Sequence, residues 1–187
     1  MITVNLVINI AIYQICWLVC ILGGANGYPL AGVFAVAMAV AYHLYAAPRP
    51  STELALLSFA ALIGGAWDSL LVNAGWLVYP SGTLIDGTAP YWIVALWISF
   101  ATTFNVGLRW FKQRLLLASV FGALGGPLAF WAGERLGGVI FAQPAAGFIA
   151  LALGWALLMP LMMIVSNRLD GFRQSDLTET TPAAIAN

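Results

Sequence analysis

The sequence carries very little charge. Only 7% of its 187 residues are charged, and none of them precedes Arg49. Because soluble domains carry roughly 25% charged residues, this composition excludes that class. The net charge of zero and the absence of long runs of like charges also exclude a nucleic-acid partner and an acidic or basic arm.

Residues that carry chemistry are also scarce. His43 is the single histidine, and Cys16 and Cys20 lie four residues apart in one apolar segment. Such a pair provides neither a disulfide framework nor a zinc site. The sequence has no lysine-containing phosphate loop, no HExxH and no G-x-S-x-G motif. We therefore expect no metal ion and no cofactor, and an enzyme is not favoured.

Hydrophobic residues make up 62% of the chain, and its mean hydropathy is +0.93. A membrane-spanning helix needs ~20 mostly apolar residues. The pattern predicts an all-α membrane protein, a bundle of six transmembrane helices forming one domain over residues 1–168. The polar remainder, residues 169–187, is predicted to be a disordered cytoplasmic tail. The predicted spans are about 3–22, 28–47, 54–75, 90–108, 115–134 and 145–165.

The basic residues predict the orientation of these spans. Six spans place both termini on one side, and all the basic residues except Arg135 fall on that side. Since cytoplasmic loops carry an excess of Lys and Arg, both termini are expected in the cytoplasm. The residues on that side are Arg49, Arg109, Lys112, Arg114, Arg168 and Arg173.

Asp68 is the first candidate for a functional residue. It lies inside the apolar stretch 54–75, where a carboxylate costs several kcal/mol unless it is paired or hydrated. Arg135, next to Glu134 at the end of helix five, is the only base on the non-cytoplasmic side and is the expected counter-ion. Two interpretations stay open: a structural ion pair or hydrogen-bonded acid, and a substrate or proton site formed with Glu134 and Arg135.

A second polar group is predicted in the cytoplasmic half. Asn5 and Asn9 share one face of helix one, and His43 and Asn105 lie at a similar depth on helices two and four. Polar side chains in membrane helices turn toward other helices. The four side chains are therefore expected to meet, either as hydrogen bonds between helices or as the lining of a polar cavity or proton relay.

Small residues mark two helix faces for close packing. Gly122 and Gly126 form a GxxxG pair in helix five, and Gly64 and Gly65 lie beside Asp68 in helix three. Such residues allow the backbone of another helix to approach closely. The partner of helix five is left open, since an internal helix, a second copy in a homodimer and another membrane protein all fit.

Several of these residues together give the chain a resemblance to a known family. They are Asn9, Gln14 and Trp17; Asp68; Pro90, Trp92 and Trp97; Gly126-Pro127; and Ala132-Gly133. Over residues 5–165 the chain resembles domain-of-unknown-function family 2878. The resemblance implies a small multi-pass protein of the bacterial inner membrane. Members are sometimes encoded beside fatty-acid- or phospholipid-modifying enzymes, which favours a role with lipids.

Three functions fit these observations. The first is the binding or translocation of a small or lipophilic molecule at Asp68. The second is an accessory subunit of a lipid-modifying system, docking through the face with Gly122 and Gly126. The third is a lipid-active enzyme using Asp68, Glu134 and His43 as acid–base groups. A cavity that reaches Asp68 favours the first or third, whereas a packed core with an exposed small-residue groove favours the second.

Overall fold

The structure, a computed structural model, describes residues 2–173 of the chain and the side chains of residues 6–173. The regular secondary structure of this part consists of six α-helices, two short strands and a 3₁₀ helix (Arg109–Gln113), joined by loops and turns. The helices are α1 (Ile2–Ala25), α2 (Pro29–Ala46), α3 (Pro50–Asn73), α4 (Tyr91–Ala101), α5 (Leu115–Arg135) and α6 (Pro144–Arg168).

Prolines and glycines determine several of the helix ends. α2, α3 and α6 each begin with a proline, whose missing N–H has no partner at this position of a helix anyway. Gly75 and Gly137 follow the ends of α3 and α5 with φ angles of 70° and 81°. Glycine adopts this left-handed conformation without a steric penalty, so the chain can turn sharply after each helix.

Five of the helices, all except α4, are long and apolar enough to cross a membrane. Their outer surfaces expose large hydrophobic side chains such as Met38, Leu62, Leu116 and Leu157. In water these side chains would form one continuous apolar surface, whereas in a bilayer they contact lipid. The prediction of an all-α, multi-pass membrane protein is therefore confirmed.

The predicted helix 90–108 is wrong beyond Ala101. The chain continues as a series of turns and then as the 3₁₀ helix. The hydroxyls of Thr102 and Thr103 donate to the carbonyls of Ser99 and Phe100, at 2.7 and 2.6 Å. These local bonds compete with regular helix hydrogen bonding. Because Thr103 is fully buried by protein, this irregular backbone is shielded from lipid.

The bundle has two distinct ends. At the hairpin end, the loops after α3 and α5 join through β1 (Leu77–Val78) and β2 (Ile140–Phe141), which pair antiparallel. The sequence did not predict this pairing. The opposite end holds all the basic residues except Arg135 and is called the basic end below. There, the α2–α3 turn and residues 105–113 meet residues 169–173.

The start of the predicted disordered tail is wrong. Asp170 is 3% exposed, and the backbone N–H of Arg49 donates to the carbonyl of Gly171 at 3.1 Å. Residues 169–173 therefore pack on the bundle, because their backbone finds partners at the α2–α3 turn. The rest of the predicted tail, residues 174–187, lies outside the described residues.

The glycine faces pack helices together inside the chain. A Cβ atom at Gly64 would lie 2.0 Å from Cδ2 of Trp97 on α4, and one at Gly65 would lie 3.2 Å from Val94. On α5, Cβ atoms at Gly122 and Gly126 would lie 2.2 and 2.3 Å from atoms of Trp155 on α6. Since α6 covers the α5 face, the interpretation of this face as a docking surface for a second copy or another membrane partner is wrong.

Candidate functional site

Asp68 is completely buried between α3 and α4. Its Oδ2 accepts a hydrogen bond of 2.6 Å from the indole Nε1 of Trp97. Gly64, one helical turn earlier, leaves the space that the Trp97 ring occupies. The second carboxyl oxygen, Oδ1, has no hydrogen-bond partner among the described residues. Asp68 therefore has half of its hydrogen-bonding capacity unused in an apolar interior.

The expected ion pair between Asp68 and Arg135 is not formed. Arg135 is exposed, and its guanidinium lies 5.5 Å from the ring centroid of Trp131. Arg135 is the last residue of α5, whereas Asp68 lies more than a turn before the end of α3. The neighbouring Glu134 uses its Oε1 to accept a hydrogen bond of 3.2 Å from the backbone N–H of Phe141. Neither residue contributes to the surroundings of Asp68.

Asp68 lines a partly open cavity of about 60 Å³. The α1 and α5 helices form two of its walls, and α4 and α6 contribute large aromatic rings. Asp68 is the only ionisable carboxyl or amine in its lining among the described residues. The lining residues are Tyr13, Trp17, Ile21, Asp68, Tyr79, Ile93, Leu96, Trp97, Phe100, Ala129, Phe130, Gly133, Val139 and Trp155.

Tyr79 is the second polar group of this cavity. The residue is 9% exposed, and its hydroxyl has no hydrogen-bond partner among the described residues. Burial, and secondarily the negative charge of Asp68, raise the pKa of Tyr79 well above its usual value. The phenol therefore stays protonated at neutral pH and can donate a hydrogen bond to a bound molecule.

Glu53 is the centre of a separate buried cluster at the basic end. It is fully buried, and its Oε2 lies 2.8 Å from Nε2 of His43. Its Oε1 accepts hydrogen bonds from Nδ2 of Asn105 at 2.6 Å and from the backbone N–H of Gly171 at 2.7 Å. Sequence reasoning selected His43 and Asn105 but missed Glu53. The available signal was an acid ten residues after the only histidine, across a short turn.

Asp170 joins this cluster to the basic residues. Its Oδ2 accepts hydrogen bonds from Arg109 at 2.6 Å and from Lys112 at 2.9 Å, and Arg49 donates to its carbonyl. Burial lowers the pKa of Lys112, and the bond to Asp170 opposes that shift. The cluster fixes residues 169–173 to the bundle, and few of its polar atoms lack a partner. Its role is therefore structural.

The predicted meeting of four polar side chains is only partly formed. His43 and Asn105 meet through Glu53, but Asn9 binds elsewhere. The Asn9 side chain donates to the Thr102 carbonyl at 3.1 Å and accepts from the Gly107 N–H at 3.2 Å. Because α4 ends at Ala101, the Thr102 carbonyl and the Gly107 N–H lie outside the helix, and the Asn9 side chain bonds to both. The side chain of Asn5 lies outside the described part of the chain.

The three acid–base groups considered for an enzyme do not converge. His43 binds Glu53 at the basic end, Asp68 binds Trp97 inside the bundle, and Glu134 binds Phe141 at the hairpin end. Within the part of the chain that the structure describes, no group of three or more His, Cys, Asp or Glu residues is placed to hold a metal ion. His43, Asp68 and Glu134 therefore do not form a single acid–base site in the described structure.

Comparisons with known proteins agree with the expected resemblance. The model of one protein family, described as "Protein of unknown function (DUF2878)", matches residues 6–161. No curated protein and no solved structure matches the chain. The match covers most of the chain, including Asp68 and both walls of the cavity. The chain belongs to the DUF2878 family of proteins of unknown function.

Proposed function

We propose that this protein binds a small lipophilic molecule in the cavity at Asp68, as a receptor or as one step of its movement across the membrane. The observation that carries the proposal is a fully buried Asp68 with an unpaired Oδ1 in the lining of an aromatic-walled cavity inside a membrane protein. Small-molecule sites are mostly apolar and carry a few polar groups that fix the ligand. The lining of this cavity has that composition.

The walls of the cavity support entry from the bilayer. Near the hairpin end α1 packs on α5 and the turn after it, since a Cβ atom at Gly138 would lie 2.9 Å from Ile21. Nearer the middle, Trp17 of α1 and Phe130 of α5 line the same cavity, and both are only half-buried. The rim of the cavity thus reaches the lipid-facing surface, where a lipophilic molecule is most concentrated.

We further propose that the protein lies in the bacterial inner membrane with its basic end in the cytoplasm. The short α4 and residues 102–108 together form the sixth crossing, because Trp92 bonds to Ser81 near the hairpin end and Asn105 bonds to Glu53 at the basic end. All basic residues except Arg135 lie toward the basic end, as the excess of Lys and Arg in cytoplasmic loops requires.

A topology reporter tests this orientation. Alkaline phosphatase fused after Asn187 should be inactive, because that enzyme needs the periplasm, whereas a fusion in the loop before Pro90 should be active. Green fluorescent protein at the same two positions should give the opposite pattern. Phosphatase activity at Asn187 would contradict the proposed orientation.

Filling the cavity tests the binding function. In Ala129→Trp the new indole should occupy the space between α1 and α5 and prevent a ligand from entering. The measurement uses a neutral dodecyl diazirine photoprobe with the purified protein in nanodiscs, followed by peptide mass spectrometry. Labels on Asp68 and Trp97, which are 0% and 4% exposed, report a probe inside the cavity rather than in the lipid.

We expect wild-type protein to be labelled at these two residues and Ala129→Trp to lose most of that labelling. The matched control is Leu116→Trp, which adds an indole to the same helix at a lipid-facing position that is 80% exposed. It should keep the labelling of Asp68 and Trp97. Equal labelling in all three proteins, or none in wild type, would count against a ligand cavity here.

A further inference from the structure

We propose that the ligand of this cavity is a lipophilic ammonium cation, whose charged head binds Asp68 and whose alkyl part leaves between α1 and α5. The inference rests on the proposed binding function and adds the chemical class of the ligand. Three independent features of the site support it: an uncompensated carboxyl group, aromatic walls, and an exit toward lipid.

Oδ1 of Asp68 lacks a partner in either protonation state. As a carboxylate it has no cation, since none of the chain's 7 Lys and Arg residues forms a salt bridge with it in the described structure. As a neutral acid, with its proton on Oδ1, that oxygen would need an acceptor, and none is in place. A buried group left without a partner is costly in a membrane interior. A bound N–H donor with a positive charge satisfies both the hydrogen bond and the charge.

The aromatic rings beside Asp68 favour the same class of ligand. Trp97 and Trp155 stack on each other with ring centroids 4.7 Å apart, which covers one face of each indole. The rings of Tyr13, Phe100 and Phe130 line the same cavity. The faces of such rings attract cations through their quadrupole. A carboxylate among aromatic rings is the arrangement that recognises organic ammonium groups. The protonated Tyr79 presents a phenol oxygen that can accept a second N–H.

The lining disfavours the other head groups that lipids carry. A phosphate or fatty-acid carboxylate would meet Asp68 without any Lys or Arg in the cavity lining to offset the repulsion. An alcohol could bond to Asp68 and Tyr79 but would not neutralise the buried charge. Besides Asp68 and Tyr79, the lining carries the Tyr13 phenol and the indole N–H of Trp155, which has no hydrogen-bond partner in the described structure. Ile21, Ile93 and Leu96 are apolar and suit an alkyl chain.

Competition with the photoprobe tests the class of ligand. Dodecylamine, which is protonated at neutral pH, and dodecanol have the same chain length and differ only in the head group. We expect dodecylamine to displace the neutral diazirine probe from Trp97 in wild-type protein at a concentration at least about tenfold lower than dodecanol does. This comparison uses the unaltered protein, so it does not depend on any variant folding.

Asp68→Asn tests the residue. The amide keeps a carbonyl acceptor for the Trp97 N–H and carries no charge, so the preference for dodecylamine over dodecanol should disappear. The matched control is Asp86→Asn, which removes an exposed acid at the hairpin end and should keep the preference. This control shows whether the preference arises from accumulation of the amine near an exposed acid rather than from binding at Asp68.

The outcomes separate the two proposals. Equal competition by dodecylamine and dodecanol in wild type would overturn the ammonium ligand and leave a lipophilic site in place. A preference for the amine that persists in Asp68→Asn would also overturn it. No labelling of Trp97 in wild type would instead overturn the binding function itself.

Discussion

Glu53→Ala should cause a large loss of stability, although Glu53 lies far from the cavity. The carboxyl group of Glu53 is the shared partner of His43, Asn105 and the Gly171 N–H, and all of its surroundings are buried. Removing it takes away the partner of His43 Nε2 and of the Gly171 N–H, whereas Asn105 keeps its bond to the Leu169 carbonyl. A buried polar group left without a partner costs about 1–3 kcal/mol, so the loss of both bonds should cost about 2–6 kcal/mol.

Thermal unfolding in mild detergent measures this loss of stability. Two control variants show whether it comes from the hydrogen bonds of Glu53. Glu53→Gln keeps an oxygen acceptor for Asn105 and Gly171, so its loss should be smaller than that of the alanine variant. Glu134→Ala removes a half-buried carboxyl with one hydrogen bond in the described structure, which is worth about 0.5–1.5 kcal/mol. Losses of similar size for Glu53→Ala and Glu134→Ala would show that the cluster does not act as a unit.

The same variant has a local readout at the basic end. Residues 169–173 are fixed by Glu53 and Arg49, so Glu53→Ala should release them. Trypsin cleavage at Arg168, the last residue of α6, should then become faster, because proteolysis needs local unfolding of the cleaved segment. Unchanged cleavage at Arg168 would show that other contacts fix this segment.

The sequence was sufficient to predict most helices because their signals are local. Apolar windows of membrane-spanning length and prolines at the starts of α2, α3 and α6 are visible in the chain itself. The end of α4 was not predictable in this way. Its residues up to Leu108 remain apolar enough for a helix, and the turn at Thr102 depends on burial of the freed backbone and on bonds to Asn9. Those contacts come from helices distant in sequence.

The candidate site, like the helices, could be predicted only in part from the sequence. Asp68 was identifiable because a carboxylate in an apolar segment is expensive wherever the helix packs. The partner of Asp68 could not be predicted in this way. Charge alone pointed to Arg135, but the space at Gly64 brings the neutral indole of Trp97 to Asp68. Glu53 was missed for a different reason. An acid in the first turn of a helix already has a local explanation in the helix dipole, which hid its tertiary role.

The aromatic walls could not be derived from composition. Tryptophan and tyrosine are equally expected at membrane interfaces, where they anchor helices to the head-group region. Whether Trp155 faces lipid or Trp97 depends on the rotation of α6 about its axis. The glycines of α5 determine the rotation of α6, because they leave space for Trp155 between α5 and α6. Small residues that sequence reasoning assigned to packing are therefore also the cause of the cavity's shape.

Gly126→Leu should consequently damage both the fold and the cavity. A Cβ atom at this position would lie 2.3 Å from Cγ of Trp155, so the indole has to move. Overpacking in a core costs about 1–3 kcal/mol and occasionally more, and a leucine here should exceed that range. Trp155 stacks on Trp97, which donates to Asp68. The displacement should therefore also reduce photolabelling of Trp97.

The adjacent glycine supplies the matched control for this prediction. A Cβ atom at Gly125 would make only ordinary contacts, the nearest being 3.8 Å from Phe121. Gly125→Leu adds the same side chain to the same turn of α5, and it gains helix propensity of about 0.8–1.0 kcal/mol. It should unfold at a temperature close to that of wild type and keep the labelling of Trp97. If both leucine variants lost stability equally, the cause would be the glycine's role in α5 itself. The packing of Trp155 would then not be what holds the aromatic wall beside Asp68.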